Sequence, residues 1–145
     1  MTSFNKSPKW AIILTVVIVV ASIILVAALI ILGGKETVVT VSADTIEISG
    51  IFGVTFSTSE VKSVTLLDKS MNEIGIGTRT NGYAAGNTQK GSYNSNALGK
   101  HLLYVDSSAS PTILIDRGDE RNIYISYKES TKTADLYYEL EKVLQ

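Results

Sequence analysis

The chain has 145 residues, no cysteine, one histidine and a formal net charge of −1. The lack of cysteine excludes disulfides, zinc–thiolate sites, iron–sulfur clusters and a lipid-modified cysteine anchor. After residue 34 the chain carries 11 Lys and Arg against 14 Asp and Glu with no basic stripe, so its composition argues against a nucleic-acid-binding protein.

An unbroken apolar run covers residues 11–32, with Thr15 and Ser22 as its weakly polar members. As a helix with a rise of about 1.5 Å per residue it reaches roughly 33 Å, enough to cross a hydrocarbon core of about 30 Å. We therefore predict a transmembrane helix between a tail of residues 1–10 and a linker of residues 33–36. A cleaved signal peptide is the alternative, but its apolar region is usually about 7–15 residues long and ends in small residues.

Basic residues are distributed unevenly around the run. Lys6 and Lys9 precede it without any acid, whereas Lys35 is the only basic residue close behind it. Positive charge favours the cytoplasmic side, so we expect a single-pass protein of the cell membrane with its domain outside the cytoplasm. Trp10 fits the interface, where one end of the indole ring meets lipid and the other meets headgroups.

Residues 37–145 predict one mainly β domain. Residues 37–42 and 45–49 are β-branched or alternate with period two, and the short link between them predicts a hairpin. Residues 51–56 are expected to continue the second strand. Further strands are predicted at 61–67, 71–78, 102–105, 112–116 and 122–127, with a polar turn joining the last two.

A glycine-rich segment interrupts this pattern. Residues 77–99 hold five glycines and four asparagines, and we predict a twisted, loop-rich hairpin there. Asn81 and Gly82 both tolerate positive φ, which predicts the turn of that hairpin.

The chain changes period near its C-terminus. Leu136, Leu140, Val143 and Leu144 form one stripe of an amphipathic helix, which Ser130 or Thr131 is expected to cap. This stripe must cover a surface, and the open end of a curved sheet is the expected one.

About seven antiparallel strands followed by one helix resemble the plan of a pleckstrin-homology (PH) fold. The chain is similar to small bacterial PH-like domains attached to membrane helices, and the resemblance covers nearly all of residues 37–145. The residues that carry it are 48–53, 56–61, 64–66, 79–82, 90–93 and 135–138. It implies a PH-like curved antiparallel sheet or barrel and an association with the membrane, and no assigned activity.

The sequence offers little for catalysis or metal binding, so we expect no enzyme, cofactor or metal. His101 begins an apolar strand, where we expect a strand-edge or surface role, and neither a G-x-S-x-G nor an H-E-x-x-H motif is present. Asp116, Asp119 and Glu120 match no calcium-loop spacing and are expected at a solvated hairpin tip.

Basic residues surround the glycine-rich segment and form a candidate anion site. Arg79, Lys90 and Lys100 bracket glycines whose backbone amides can bind phosphate. The first hairpin loop, residues 42–45, contains an acid and no lysine, which argues against phosphoinositide binding.

We therefore expect a non-catalytic, membrane-anchored module that binds a protein partner or acts as a scaffold. Docking would use a sheet edge or the groove beside the C-terminal helix. Tyr138 is predicted to be exposed on that helix as part of an interaction surface. The alternative is a sensor of anionic ligands or lipid headgroups that uses residues 77–99.

Overall fold

The computed structural model describes residues 8–145, which divide into one apolar unit ending at Lys35 and a compact domain of residues 36–145. The apolar unit contains helix α1 (Lys9–Gly34), 26 residues or about 39 Å long. This helix is long and apolar enough to cross a membrane, as predicted, and it extends two residues beyond the predicted run at each end. Of the predicted N-terminal tail, residues 1–7 lie outside the described residues.

The two hydroxyl side chains of α1 form hydrogen bonds within the helix itself. The hydroxyls of Thr15 and Ser22 donate hydrogen bonds to the carbonyls four residues earlier, at 2.9 and 2.8 Å. Such bonds leave no hydroxyl without a partner in a hydrocarbon environment. Apart from Lys9 at its start, the remaining surface of α1 is apolar, and its large side chains are exposed.

The prediction of a mainly β chain with one C-terminal helix is confirmed. Within residues 36–145, nine strands are joined by a short helix, a single 3-10 turn and a longer C-terminal helix. The strands are β1 (Val39–Val41), β2 (Thr45–Ile48), β3 (Val54–Ser57), β4 (Ser63–Leu67), β5 (Thr78–Ala85), β6 (Thr88–Ser95), β7 (Gly99–Asp106), β8 (Thr112–Asp116) and β9 (Asn122–Ser126). The 3-10 turn is Thr58–Glu60, and the helices are α2 (Met71–Ile74) and α3 (Ser130–Leu144).

The strands form two sheets. One contains β1-β2-β3 and the other β4-β8-β9-β7-β6-β5, in spatial order. The prediction of about seven antiparallel strands is wrong in two respects, because nine strands are described and β7 pairs with β9 in parallel. The cause is the β8–β9 hairpin, which lies between β4 and β7 and so places β9 beside β7 in the same direction.

Three predicted hairpins are present, and two other expectations about turns are wrong. In residues 77–99 the hairpin is β5–β6, with two eight-residue strands that turn at Gly86 and Asn87 in place of the expected loop-rich form. The β1–β2 and β8–β9 pairs are antiparallel as expected. Residues 51–56 do not continue β2, because the chain turns at Gly50 (φ 110°) and returns as β3. Asn81 and Gly82 lie inside β5 rather than in a turn. There a side chain on Gly82 would overlap the carbonyl of Lys90 on β6, so the closeness of the two strands explains this glycine.

The predicted strand at residues 71–78 is wrong, because its first half is α2. Ser70 and Glu73 form a reciprocal capping box, in which the Glu73 carboxylate accepts from the Ser70 amide at 2.8 Å. This box satisfies free amides at the start of the helix and favours a helical turn over an extended strand. The turn also buries Met71 completely.

The six-stranded sheet carries apolar residues on both faces. The larger cluster, on one face, also receives residues of the small sheet and of α3: Ile46, Ile48, Phe56, Leu102, Tyr104, Ile113, Ile115, Ile123, Ile125, Tyr127, Leu136 and Leu140. The smaller cluster, on the other face, contains Met71, Tyr93, Leu103, Val105 and Tyr124.

Helix α3 buries Leu136 and Leu140 as its apolar stripe predicts. The predicted capping by Ser130 or Thr131 is wrong, because Glu129 occupies the N-cap and no side chain caps the helix. Thr133 instead accepts a hydrogen bond from the Tyr127 amide at 2.9 Å and so ties the first turn of α3 to the end of β9.

Candidate functional site

The three basic residues of the predicted anion site do not share one face of the sheet. Arg79 pairs across β5 and β6 with Tyr93, which belongs to the smaller cluster. Lys90 pairs across β6 and β7 with Tyr104, which belongs to the larger cluster. Because directly paired residues point to the same face, Arg79 and Lys90 lie on opposite faces.

Lys90 and Lys100 share a face but are separated along the strands. Lys100 pairs with Asn94, four positions along β6 from Lys90, which corresponds to about 13 Å. Burial lowers the pKa of Lys90, and the negative charge of Glu36 opposes that effect. The geometry therefore brings none of the three predicted cations together in one cradle.

Tyr138 is exposed, as predicted. Its side chain is 62% exposed, and its ring contacts Tyr137 edge-on with the ring centroids 5.5 Å apart. The Tyr137 hydroxyl donates to the Glu141 carboxylate at 2.7 Å, which raises the pKa of that phenol. The role of Tyr138 in an interaction surface stays a prediction.

His101 is completely buried, so the predicted edge or surface position is wrong. Its ring lies between two tyrosines of the smaller cluster, stacked on Tyr93 and edge-on to Tyr124. The ring nitrogens lie 2.8 Å from the Gly99 carbonyl and 3.0 Å from the Ile76 carbonyl. His101 thus links the glycine-rich turns to the sheet, in a position enclosed by packed side chains.

The acidic turn between β8 and β9 contains a hydrogen bond between its own residues. The Asp116 carboxylate accepts from the Gly118 amide at 2.8 Å, while Asp119 and Glu120 are exposed. In residues 8–145 no group of three or more His, Asp or Glu side chains is placed to hold a metal ion.

A surface groove of about 230 Å³ lies between the edge strand β1 and helix α3. We call it the β1–α3 groove; its lining residues are Thr37, Val38, Val39, Tyr127, Lys132, Asp135, Leu136 and Glu139. Strand β1 is the outer strand of its sheet, and Val38 beside it is 59% exposed. An apolar strip beside an open strand edge can receive an extended segment.

Charge in the β1–α3 groove is predominantly negative. Lys132 forms an ion pair with Glu36 at 2.5 Å, and its ammonium lies 4.5 Å from the centroid of the Tyr127 ring. Within the described part of the chain, no basic side chain lies within salt-bridge distance of Asp135 or Glu139. Two carboxylates of the groove are therefore uncompensated by a close cation.

A second depression of about 240 Å³ lies between residues 51–54 and the strands β5, β6 and β7. We call it the Arg121 cleft; its lining residues are Ile51, Phe52, Gly53, Val54, Asn81, Gly91, Ser92, Leu102, Tyr104 and Arg121. Arg121 donates to the Ser92 hydroxyl at 2.8 Å, and the Tyr104 hydroxyl donates to the Phe52 carbonyl at 2.6 Å.

Sequence reasoning missed Arg121, although one signal pointed to it. Arg121 directly precedes β9, and the first residue before a central strand emerges at the rim of the sheet. Its basic neighbour Arg117 directly follows β8, so the two arginines flank the same hairpin tip.

Comparison with protein-family models, with curated proteins and with solved structures finds no match to this chain.

Proposed function

We propose that this chain is a single-pass membrane protein whose domain is a non-catalytic module that binds a protein partner in the same membrane. The support for membrane insertion is α1, which is uncharged between Trp10 and Gly34 and satisfies its own hydroxyls. Anchoring raises the effective concentration of the domain against other proteins of that bilayer.

The proposed orientation places the N-terminus in the cytoplasm and the domain outside. It rests on Lys6 and Lys9, which precede the apolar run of residues 11–32. Single cysteines at Thr2 and at the exposed Asp119 can be labelled in intact cells with a membrane-impermeant thiol reagent. Labelling at position 119 alone supports the orientation, and labelling at position 2 alone reverses it.

The proposed PH-like identity rests on the resemblance in sequence and on α3, which packs on one face of the six-stranded sheet. The parallel pairing of β7 and β9 departs from an all-antiparallel plan. The proposed function does not depend on that identity, because it rests on the surface of the domain.

The β1–α3 groove is the proposed docking site, and the open edge of β1 beside it is the observation that carries the proposal. An extended segment can add to β1 by backbone hydrogen bonds while Val38 and Leu136 contact its apolar side chains. Asp135 and Glu139 favour a basic residue in the same segment, since complementary charge improves association and specificity. The partner is thus expected to present an extended apolar segment with an adjacent Lys or Arg.

Site-specific photocrosslinking in membranes tests this docking site. A photoreactive residue at Val38 is expected to give one adduct of defined mass. The same residue at Asp119 is expected to give none, because Asp119 lies in the turn before β9 whereas Tyr127 of the groove follows β9. The double variant Asp135→Lys, Glu139→Lys is expected to abolish the Val38 adduct while the tyrosine circular dichroism of the domain is unchanged. Equal crosslinking at both positions, or an adduct insensitive to the charge reversal, would overturn the proposal.

A further inference from the structure

The Arg121 cleft contains a cation whose hydrogen-bonding capacity is mostly unused. A guanidinium carries five N–H groups. Among the residues that the structure describes, only the Ser92 hydroxyl accepts from the Arg121 guanidinium, and no carboxylate lies within salt-bridge distance of it. The Asn81 side chain, also at the cleft, has no hydrogen-bond partner in the same part of the chain.

A second arginine, Arg117, contacts Arg121 from outside the lining of the cleft. Arg117 donates to the Arg121 carbonyl at 3.4 Å, and its side chain is only 8% exposed. Its Nε atom is buried without an acceptor in the described residues, although its Nη2 atom pairs with Glu60 at 2.7 Å. Burial raises the pKa of Tyr104 to about 12, against the opposing positive charges of Arg121 and Arg117.

The opposite wall of the Arg121 cleft is apolar. Ile51 is 60% exposed there, and Phe52 and Val54 of the same segment also line the cleft, while the buried Leu102 lies beside Ser92 as its cross-strand partner. Large apolar side chains of the domain that are exposed to this degree are few, namely Val38, Ile51 and Tyr138 among residues 36–145. An exposed guanidinium, for which the described residues supply one acceptor, and an exposed aliphatic side chain thus line the same small depression.

We propose that the Arg121 cleft binds a small organic anion, a carboxylate or phosphate carried on a compact apolar body. The anionic oxygens accept from Arg121, with Asn81 and Ser92 beside them, and the apolar body lies against Ile51. Arg121 suits this role because its planar fork can bind two anionic oxygens at once. At about 240 Å³ the cleft is smaller than the 300–1,000 Å³ typical of drug-sized ligands, which selects a compact group.

Titration of the full chain in zwitterionic lipid nanodiscs, followed by amide NMR, tests this site. Benzoate and phenyl phosphate are expected to shift the amide signals of Ser92 and Asn81 saturably. Benzyl alcohol, which has the apolar body without the charge, and inorganic phosphate, which has the charge without the body, are each expected to bind at least tenfold more weakly.

The chain offers a matched control in Arg79, an exposed arginine on the other face of the sheet. Arg121→Gln is expected to weaken the two probes at least tenfold, Ile51→Ser to weaken them severalfold, and Arg79→Gln to change nothing. Unchanged amide dispersion elsewhere shows that each variant is folded. Absence of saturable shifts with both probes, or equal losses in the two arginine variants, would overturn the proposal.

A lipid headgroup and a soluble metabolite can both supply this chemistry, and a change of lipid separates them. If nanodiscs that contain phosphatidylglycerol shift the Ser92 and Asn81 signals without added probe, the anion belongs to the membrane. If those nanodiscs leave the signals in place while benzoate still shifts them, the ligand is soluble. Either result requires Arg121, and a lipid shift that persists in Arg121→Gln contradicts the proposal.

Discussion

The two faces of the six-stranded sheet are covered by different means. The larger cluster is closed by elements distant in sequence, the small sheet and α3, which contribute Ile46 and Leu140 as completely buried residues. The smaller cluster is closed mainly by the short helix α2 and includes a buried, hydrogen-bonded His101 at its margin. The stability of the larger face therefore depends on buried apolar volume, whereas that of the smaller face depends more on local hydrogen bonds.

The largest effect is expected from Leu140→Ala on the larger face. Removal of a completely buried leucine leaves a cavity and is expected to lower the free energy of unfolding by about 2–5 kcal/mol. Urea unfolding of the full chain in mild detergent measures this through tyrosine circular dichroism, since all seven tyrosines lie after residue 82. Tyr138→Ala, at an exposed position of the same helix, should stay within about 0.5 kcal/mol of wild type. A Leu140→Ala loss no larger than that control would contradict the role of this cluster.

On the smaller face, His101→Leu is expected to cost about 1–3 kcal/mol, because it removes the buried imidazole whose N–H donates to one of the nearby carbonyls of Gly99 and Ile76. His101→Gln retains one donor and should lose less. The same urea titration distinguishes the two variants. If the His101→Leu variant were as stable as wild type, the hydrogen bonds of His101 would not stabilise this face.

Ser70→Ala removes the capping box of α2 and should cost about 0.5–2 kcal/mol. Ser63→Ala, at an exposed position of β4, is the matched control and should be close to neutral. Hydrogen exchange of the Glu73 and Ile74 amides should accelerate in Ser70→Ala before the sheet opens. Unchanged exchange at these amides would show that the cap does not hold α2.

The smallest expected effect is on the pH dependence of stability, through Glu60 at the rim of the larger face. The hydrogen bond from Arg117 lowers the pKa of Glu60 below its ordinary value of 4.5. The unfolded chain then binds the proton more tightly, so this contribution is present above the ordinary pKa and is lost as pH falls through the lowered value. The urea midpoints of wild type and Glu60→Gln should differ near neutral pH and converge in acid. A difference between the two midpoints that persists or grows in acid would contradict this prediction.

The parts of the fold that the sequence predicts are those whose signal is contained in one segment. The spacing of Leu136 and Leu140 predicts helix α3. Period-two patterns on either side of short turns predict the β1–β2 and β8–β9 hairpins. The parallel pairing of β7 with β9 has no local signal in the sequence, because it depends on the β8–β9 hairpin lying between β4 and β7. The spacing of Ile74 and Ile76 predicts a strand over residues 71–78. The Ser70–Glu73 capping box instead makes residues 71–74 helical.

The candidate site was missed for a reason of register. A bulge between Arg79 and Asn81 shifts the pairing of β5 by one residue. A shift of one residue turns every side chain beyond it to the other face, so Arg79 leaves the face of Lys90. Such a bulge is not visible in the pattern of residues 77–99, and the contact of Arg121 with Ser92 joins residues 29 positions apart, which has no local signal.

The order of the strands also has a kinetic consequence. Strand β4 finds its partner β8 only after about 45 further residues, and Leu136 and Leu140 complete the core from the last element of the chain. Pairings this distant along the chain are slow to form, because the loop between them must close before any contact compensates for its entropy. A nascent chain therefore exposes the edges of β4 and β7 until residues 112–140 have been synthesised, and during that interval this domain is most vulnerable to aggregation and to proteases.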